Sequence, residues 1–128
     1  MKKFMFVTNE EYMIFCKKTK HEKPAYWIRG KIPVNHESFP VTIVSALDAD
    51  AYCAWKGCRL PTGKKASQND ASRPPWLWEW TSETNGAYRG LRGGSWYYLA
   101  GFLRAGARDW YYPAYRNVNV GFRCASHQ

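Results

Sequence analysis

The stretch Trp76-Leu77-Trp78-Glu79-Trp80 sets the reading of the whole chain. Aromatic residues at this density predict a strand, with Glu79 facing away from Trp78 and Trp80 because side chains alternate across a strand. A carboxylate buried in such a strand requires a cation beside it. Arg92, Arg104, Arg108 and Arg123 all fall in strand-like runs further along. Glu79 is therefore expected to form a structural ion pair with one of them rather than to act as a catalytic acid.

Downstream, short strand-like runs separated by turns recur at Tyr88–Trp96, Phe102–Arg108 and Val118–Ala125. Upstream, residues 61–75 combine Pro, Gly, Ser, Asn and Asp and predict a long loop. Before that loop lie two helix starts. Thr8-Asn9-Glu10-Glu11 has the form of a capping box, followed by Tyr12, Phe15 and Cys16 on one face and Lys17-Lys18 at the negative end. Ser45-Ala46-Leu47-Asp48 repeats the pattern, with Ala49, Tyr52 and Cys53 on one face and Gly57 as the stop. Residues 20–40 read as loop with short strands. The layout is α+β: two helices packed on a small twisted antiparallel sheet with long loops.

With 128 residues the chain fits one domain, 1–128. An aromatic content of 17% argues against disorder, and no apolar run reaches membrane-span length. The first seven residues lack the apolar stretch of a signal peptide. A net charge of +9 suits anionic partners in general, but the charge is dispersed and gives no specific nucleic-acid signature.

Catalytic patterns are sparse. His21, His36 and His127 fall in loop or tail without partner motifs and read as exposed. Ser95 in Gly-Gly-Ser-Trp is not a nucleophile elbow, and Asn69-Asp70 reads as a turn rather than a calcium site. Cys16, Cys53, Cys58 and Cys124 show no zinc spacing and read as small buried apolar residues; Cys53 and Cys58 are near enough in sequence to bridge, but a helix is expected to separate them. No metal or cofactor is expected.

The densest signal is aromatic. Trp96, Tyr97, Tyr98, Phe102, Trp110, Tyr111, Tyr112 and Tyr115 lie close together, among Asn, Asp and Gly. This is the composition of a binding surface built on tyrosine contact area. Adjacent pairs such as Tyr97-Tyr98 and Tyr111-Tyr112 cannot both face a core.

Several motifs occur in a characteristic order: Val7-Thr8-Asn9-Glu10-Glu11-Tyr12, Ala51-Tyr52-Cys53-Ala54-Trp55, Arg59-Leu60-Pro61-Thr62, Trp78-Glu79-Trp80-Thr81-Ser82, Leu91-Arg92-Gly93-Gly94-Ser95-Trp96 and Gly121-Phe122-Arg123-Cys124-Ala125. This series resembles the formylglycine-generating-enzyme/sulfatase-modifying-factor family, which has a C-type-lectin-like fold. The resemblance implies that oxidising members use two cysteines soon after Gly-Gly-Ser. Here Trp96 to Phe102 contains none. Related iron-dependent sulfoxide synthases use an added His-bearing helical domain, for which this chain has no room.

More narrowly, the chain resembles the variable proteins of diversity-generating retroelements, in which adenine mutagenesis rewrites Asn codons. Tyr97, Tyr98, Leu99, Phe102, Ala107, Asp109, Tyr111, Tyr112, Tyr115, Asn117, Val118 and Asn119 are all reachable from Asn, whereas Trp96 and Trp110 are not. The resemblance implies a scaffold at about 1–95 and a variable ligand-binding region at about 96–123. The expected function is ligand binding without catalysis. The expected partner is a protein or other surface ligand of a host or neighbouring cell. A monomer displayed on a cell surface or virion is expected. A formylglycine-generating-type oxidase relative that has lost its catalytic cysteines, or a fixed-specificity binding domain, is the alternative.

Overall fold

In the computed structural model, residues 6–63, 76–93 and 108–125 are described. Helix α1 (Asn9–Thr19) starts at the expected box: the Glu11 N–H donates to Thr8 Oγ1 at 3.2 Å, and Glu11 Oε1 accepts from the Thr8 N–H at 2.9 Å. Helix α2 (Ala46–Lys56) is capped in the same way by Ser45 and Asp48. It ends at Gly57, whose φ of 78° turns the chain back on itself. The Gly57 N–H donates to the Ala54 carbonyl and the Cys58 N–H to the Cys53 carbonyl, the paired bonds of a Schellman turn.

Four strands form one sheet in the order β3-β2-β1-β4: β1 (Trp78–Asn85), β2 (Tyr88–Gly93), β3 (Arg108–Tyr111) and β4 (Val120–Gly121). The β1–β2 and β2–β3 pairs are antiparallel, but β4 runs parallel to β1, with Trp78 opposite Val120 and Glu79 opposite Gly121. The sheet is thus mixed rather than wholly antiparallel. The expected strand at Phe102–Arg108 overlaps β3 at Arg108 alone; β3 continues to Tyr111, and residues 102–107 lie outside the described ones. The expected strand at Val118–Ala125 reduces to β4 plus single bridges from Arg123 to Phe6 and from Ala125 to Arg59.

The helices meet the sheet through aromatic side chains. Tyr12 of α1 stacks on Tyr52 of α2 with centroids 6.0 Å apart, and Phe122 meets the edges of both rings. Trp55, at 38% exposure, lies over Phe15 and Tyr52 at the rim. Trp80 is fully buried, and its indole N–H donates to the Val44 carbonyl at 2.9 Å. That bond fixes the segment before α2 against β1 and satisfies a polar group that would be costly to bury alone.

Glu79 is fully buried and paired as expected. Its partner is Arg123, whose Nε and Nη2 lie 2.7 Å from the two carboxylate oxygens. Topology selects Arg123. Glu79 sits beside Gly121 on the parallel strand, and Arg123, two residues further on, shares that face. Arg92 and Arg108 turn instead to Glu83. Arg104 lies outside the described residues.

Candidate functional site

The expected binding face divides when placed on the structure. Tyr97, Tyr98, Leu99, Phe102 and Ala107 lie outside the described residues. Asp109, Tyr111, Tyr112, Tyr115, Asn117, Val118 and Asn119 follow one another along β3 and the segment leading to β4. Tyr112 and Val118 are exposed, at 56% and 57%. Tyr111 and Tyr115 are half-buried and stack with centroids 4.2 Å apart, and Tyr115 meets the edge of Trp80. Both pack on the core, which gives them a structural share that the sequence reading did not assign. The Asn117 side chain donates to the Tyr115 hydroxyl at 2.8 Å. The Asn117 and Asn119 carbonyls accept from Ile43 and Trp78, so this segment is tied to the scaffold by its backbone while it presents side chains outward.

A second grouping centres on Asp48. Its carboxylate closes the α2 cap, accepts from Arg116 Nε at 3.1 Å and lies 2.8 Å from His21 Nε2. Burial opposes its charge, but the bonds from Ser45 and His21 and the Arg116 guanidinium outweigh it and hold the carboxyl below its ordinary range. His21 is therefore not the partnerless exposed residue expected; it is half-buried and edges Tyr12. His36 packs edge-on against Phe39, and His127 lies outside the described residues.

Asp48, Arg116, Tyr12, Glu22, Lys23 and Ile43 line a cavity of about 160 Å³. Among the described residues the buried Tyr12 hydroxyl has no hydrogen-bond partner, and burial pushes its pKa up. Ile43 lies on the cavity wall at φ 58°, a left-handed conformation that a β-branched residue adopts only under constraint. Its N–H is held by the Asn117 carbonyl at 3.1 Å.

The third grouping corrects the cysteine reading. Cys53 and Cys58 are not separated by a helix; the Schellman turn folds Cys58 back over the end of α2. The Arg59–Ala125 bridge then brings Cys124 beside them. The Sγ atoms of Cys53, Cys58 and Cys124 all lie within 4.8 Å of one another, and those of Cys53 and Cys124 are 2.7 Å apart. Either sulfur of this pair can be the donor; with the proton on Cys53, the contact lowers the pKa of Cys124 and raises that of Cys53. Cys16 stays apart in the core, its thiol pushed up to about 11 by burial. The expectation of no metal-ligating residues thus meets a cluster of three thiols.

Residues 1–72 and 75–128 match the family described as the sulfatase-modifying factor enzyme 1-like domain, FGE-sulfatase. The chain belongs to this family. Hercynine oxygenase of Mycolicibacterium smegmatis is 28% identical across 77% of this chain, and that of Mycobacterium tuberculosis is 27% identical across 67%. The chain spans 38% and 36% of those relatives' lengths. The structure of PvdO from Pseudomonas aeruginosa superposes with a TM-score of 0.66 at 16% identity, covering 93% of this chain and 77% of that one, which supports the common fold.

These relatives overturn the expectation of a protein without catalysis: the family is described as an enzyme domain, and the matched curated relatives are oxygenases. The FGE-sulfatase membership was legible in the motif series; the narrower likeness to retroelement variable proteins has no counterpart among these relatives. Trp96 to Phe102 offers no cysteine, so a thiolate-held copper does not fit that segment, and no copper-dependent step is assigned to this chain. Among the described residues no helix is long and apolar enough to cross a membrane.

Proposed function

We propose that this chain is the FGE-sulfatase-type domain of an oxygenase-class enzyme and that the face carrying Tyr112 and Val118 receives the organic substrate. The observation that carries the reading is the likeness to two hercynine oxygenases over two thirds or more of this chain. The geometry supports a recognition role for the domain. Tyr112 and Val118 stand exposed on a segment whose backbone is bonded to Ile43 and Trp78, so the contact surface is held in place before substrate arrives. Tyr111 and Tyr115 support it from beneath.

The test is binding of hercynine and of a Cys-containing peptide to the purified protein, read by isothermal titration calorimetry. Saturable binding of one of them, weakened in Tyr112→Ala with melting unchanged, is the expected result. A folded protein that binds neither, or whose binding is unchanged in Tyr112→Ala, overturns the proposal.

A further inference from the structure

We propose that the cavity lined by Tyr12, Asp48 and Arg116 binds a small zwitterion, an α-amino acid of the size of glycine or alanine. Neither Tyr112 nor Val118 lines it, and the site does not rest on the oxygenase reading. Its floor is buried, with Tyr12 of α1, Pro24, Val44 and Asp48 of α2. Its rim is exposed and charged, with Glu22, Lys23 and Arg116. Arg116 comes from the segment between β3 and β4, so distant stretches of the chain build one pocket. Ile43 completes the wall. Its φ of 58° and the bond from its N–H to the Asn117 carbonyl set that wall before a ligand arrives.

Two polar groups at the floor have capacity to spare. Tyr12 is fully buried, and among the described residues its hydroxyl has no hydrogen-bond partner. Leaving a buried hydroxyl unpaired is costly. Packing does not require it, because the ring alone meets Phe15, Trp27, Tyr52 and Phe122. Asp48 Oδ2 accepts from the Ser45 N–H and from Arg116, while Oδ1 faces His21 Nε2 at 2.8 Å and has room for a second donor.

Charge selects the class of ligand. Glu22 and Asp48 set two carboxylates against the Arg116 guanidinium and the Lys23 ammonium. A lone carboxylate would meet two like charges here, and so would a lone amine. A zwitterion matches both signs: its ammonium donates to Asp48 Oδ1 and the Tyr12 hydroxyl oxygen at the floor, and its carboxylate accepts from Lys23 and Arg116 at the rim. Arg116 Nη2 already lies 3.0 Å from Asp48 and 3.8 Å from Glu22, so Lys23 carries the larger share of the carboxylate. A cavity of about 160 Å³ is of the size that takes a benzene-sized molecule, which admits glycine or alanine and excludes an aromatic amino acid.

The experiment uses the whole chain with glycine and L-alanine as probes, read by ligand-observed NMR as saturation transfer from the protein. Saturable binding of at least one is expected, with no binding of acetate, methylammonium or L-phenylalanine at the same concentrations. Tyr12→Phe should weaken binding about tenfold while melting stays unchanged or rises, because the ring remains and the unpaired hydroxyl is gone. Lys23→Met should also weaken binding, with melting unchanged. Four results overturn the proposal: neither amino acid binds, so that the cavity holds water only; acetate or methylammonium binds as tightly as the amino acids; L-phenylalanine binds as well as L-alanine; or Tyr12→Phe, still folded, binds like the parent.

Discussion

Arg123 grips Glu79 with two nitrogens, Nε and Nη2, each 2.7 Å from its own carboxylate oxygen, in a pair that is 4% and 0% exposed at the side chains. A guanidinium and a carboxylate matched in this way satisfy each other where water cannot. The pair also joins β1 to the residues after β4, so it specifies how the last described segment crosses the sheet. Phe6 lies over the guanidinium at 5.0 Å and closes the site.

Glu79→Gln leaves Arg123 charged, buried and without its counter-charge. The expected loss is about 3–5 kcal/mol in urea unfolding. A loss below about 1 kcal/mol would show that the pair does not hold the fold.

Tyr111 and Tyr112 are neighbours with opposite surroundings. Tyr112→Ala removes an exposed ring and should change stability by less than about 0.5 kcal/mol. Tyr111→Ala deletes the stacking partner of Tyr115 and should cost about 1–2 kcal/mol. Thermal melts of the two variants side by side check the asymmetry.

Acid should weaken the fold through Asp48 and Glu83. Both carboxyls are held below their ordinary values: Asp48 despite burial, by Ser45, His21 and Arg116; Glu83 by its bonds to Arg92. A depressed folded-state pKa gives stability that is present above the unfolded value and is lost as pH falls through the folded one. The decline should begin near about pH 4 and continue downward. Asp48→Asn should be less stable at neutral pH and show a shallower slope below pH 4, as read by denaturant midpoints across a pH series.

Gly121 touches the chain before α2. A Cβ there would lie 2.8 Å from the Val41 carbonyl oxygen, a backbone atom that cannot swing aside. Gly121→Ala should cost about 1–3 kcal/mol in urea unfolding with the secondary structure retained.

What the sequence disclosed was mostly local. Thr8 with Glu11 and Ser45 with Asp48 gave both helix starts, because a capping box is complete within four residues. Glu79 announced that it needed a cation, but four arginines met the condition, and only the parallel register of β4 selects Arg123. The thiol cluster was hidden for a related reason. Cys53 and Cys124 are 71 positions apart, and Cys58 reaches them through a turn whose return angle depends on Gly57. His21 and Asp48, 27 apart, met in the same way. Tyr111 looked like a surface residue because composition cannot tell a ring stacked over the rim of a core from one reaching into solvent.

The run from Val120 to Ala125 touches partners from widely separated parts of the chain: Phe6 and Val7 before α1, Arg59 after α2, and Trp78 and Glu79 in β1. Of the described residues it leaves the ribosome last. Every other described segment is therefore synthesised before the two helices and the sheet can be locked together. Closing such long loops draws heavily on chain entropy and slows folding. Until then Tyr12, Tyr52 and Trp78 wait without the strand segment that covers them, and the nascent chain depends on whatever shields those rings in the interval.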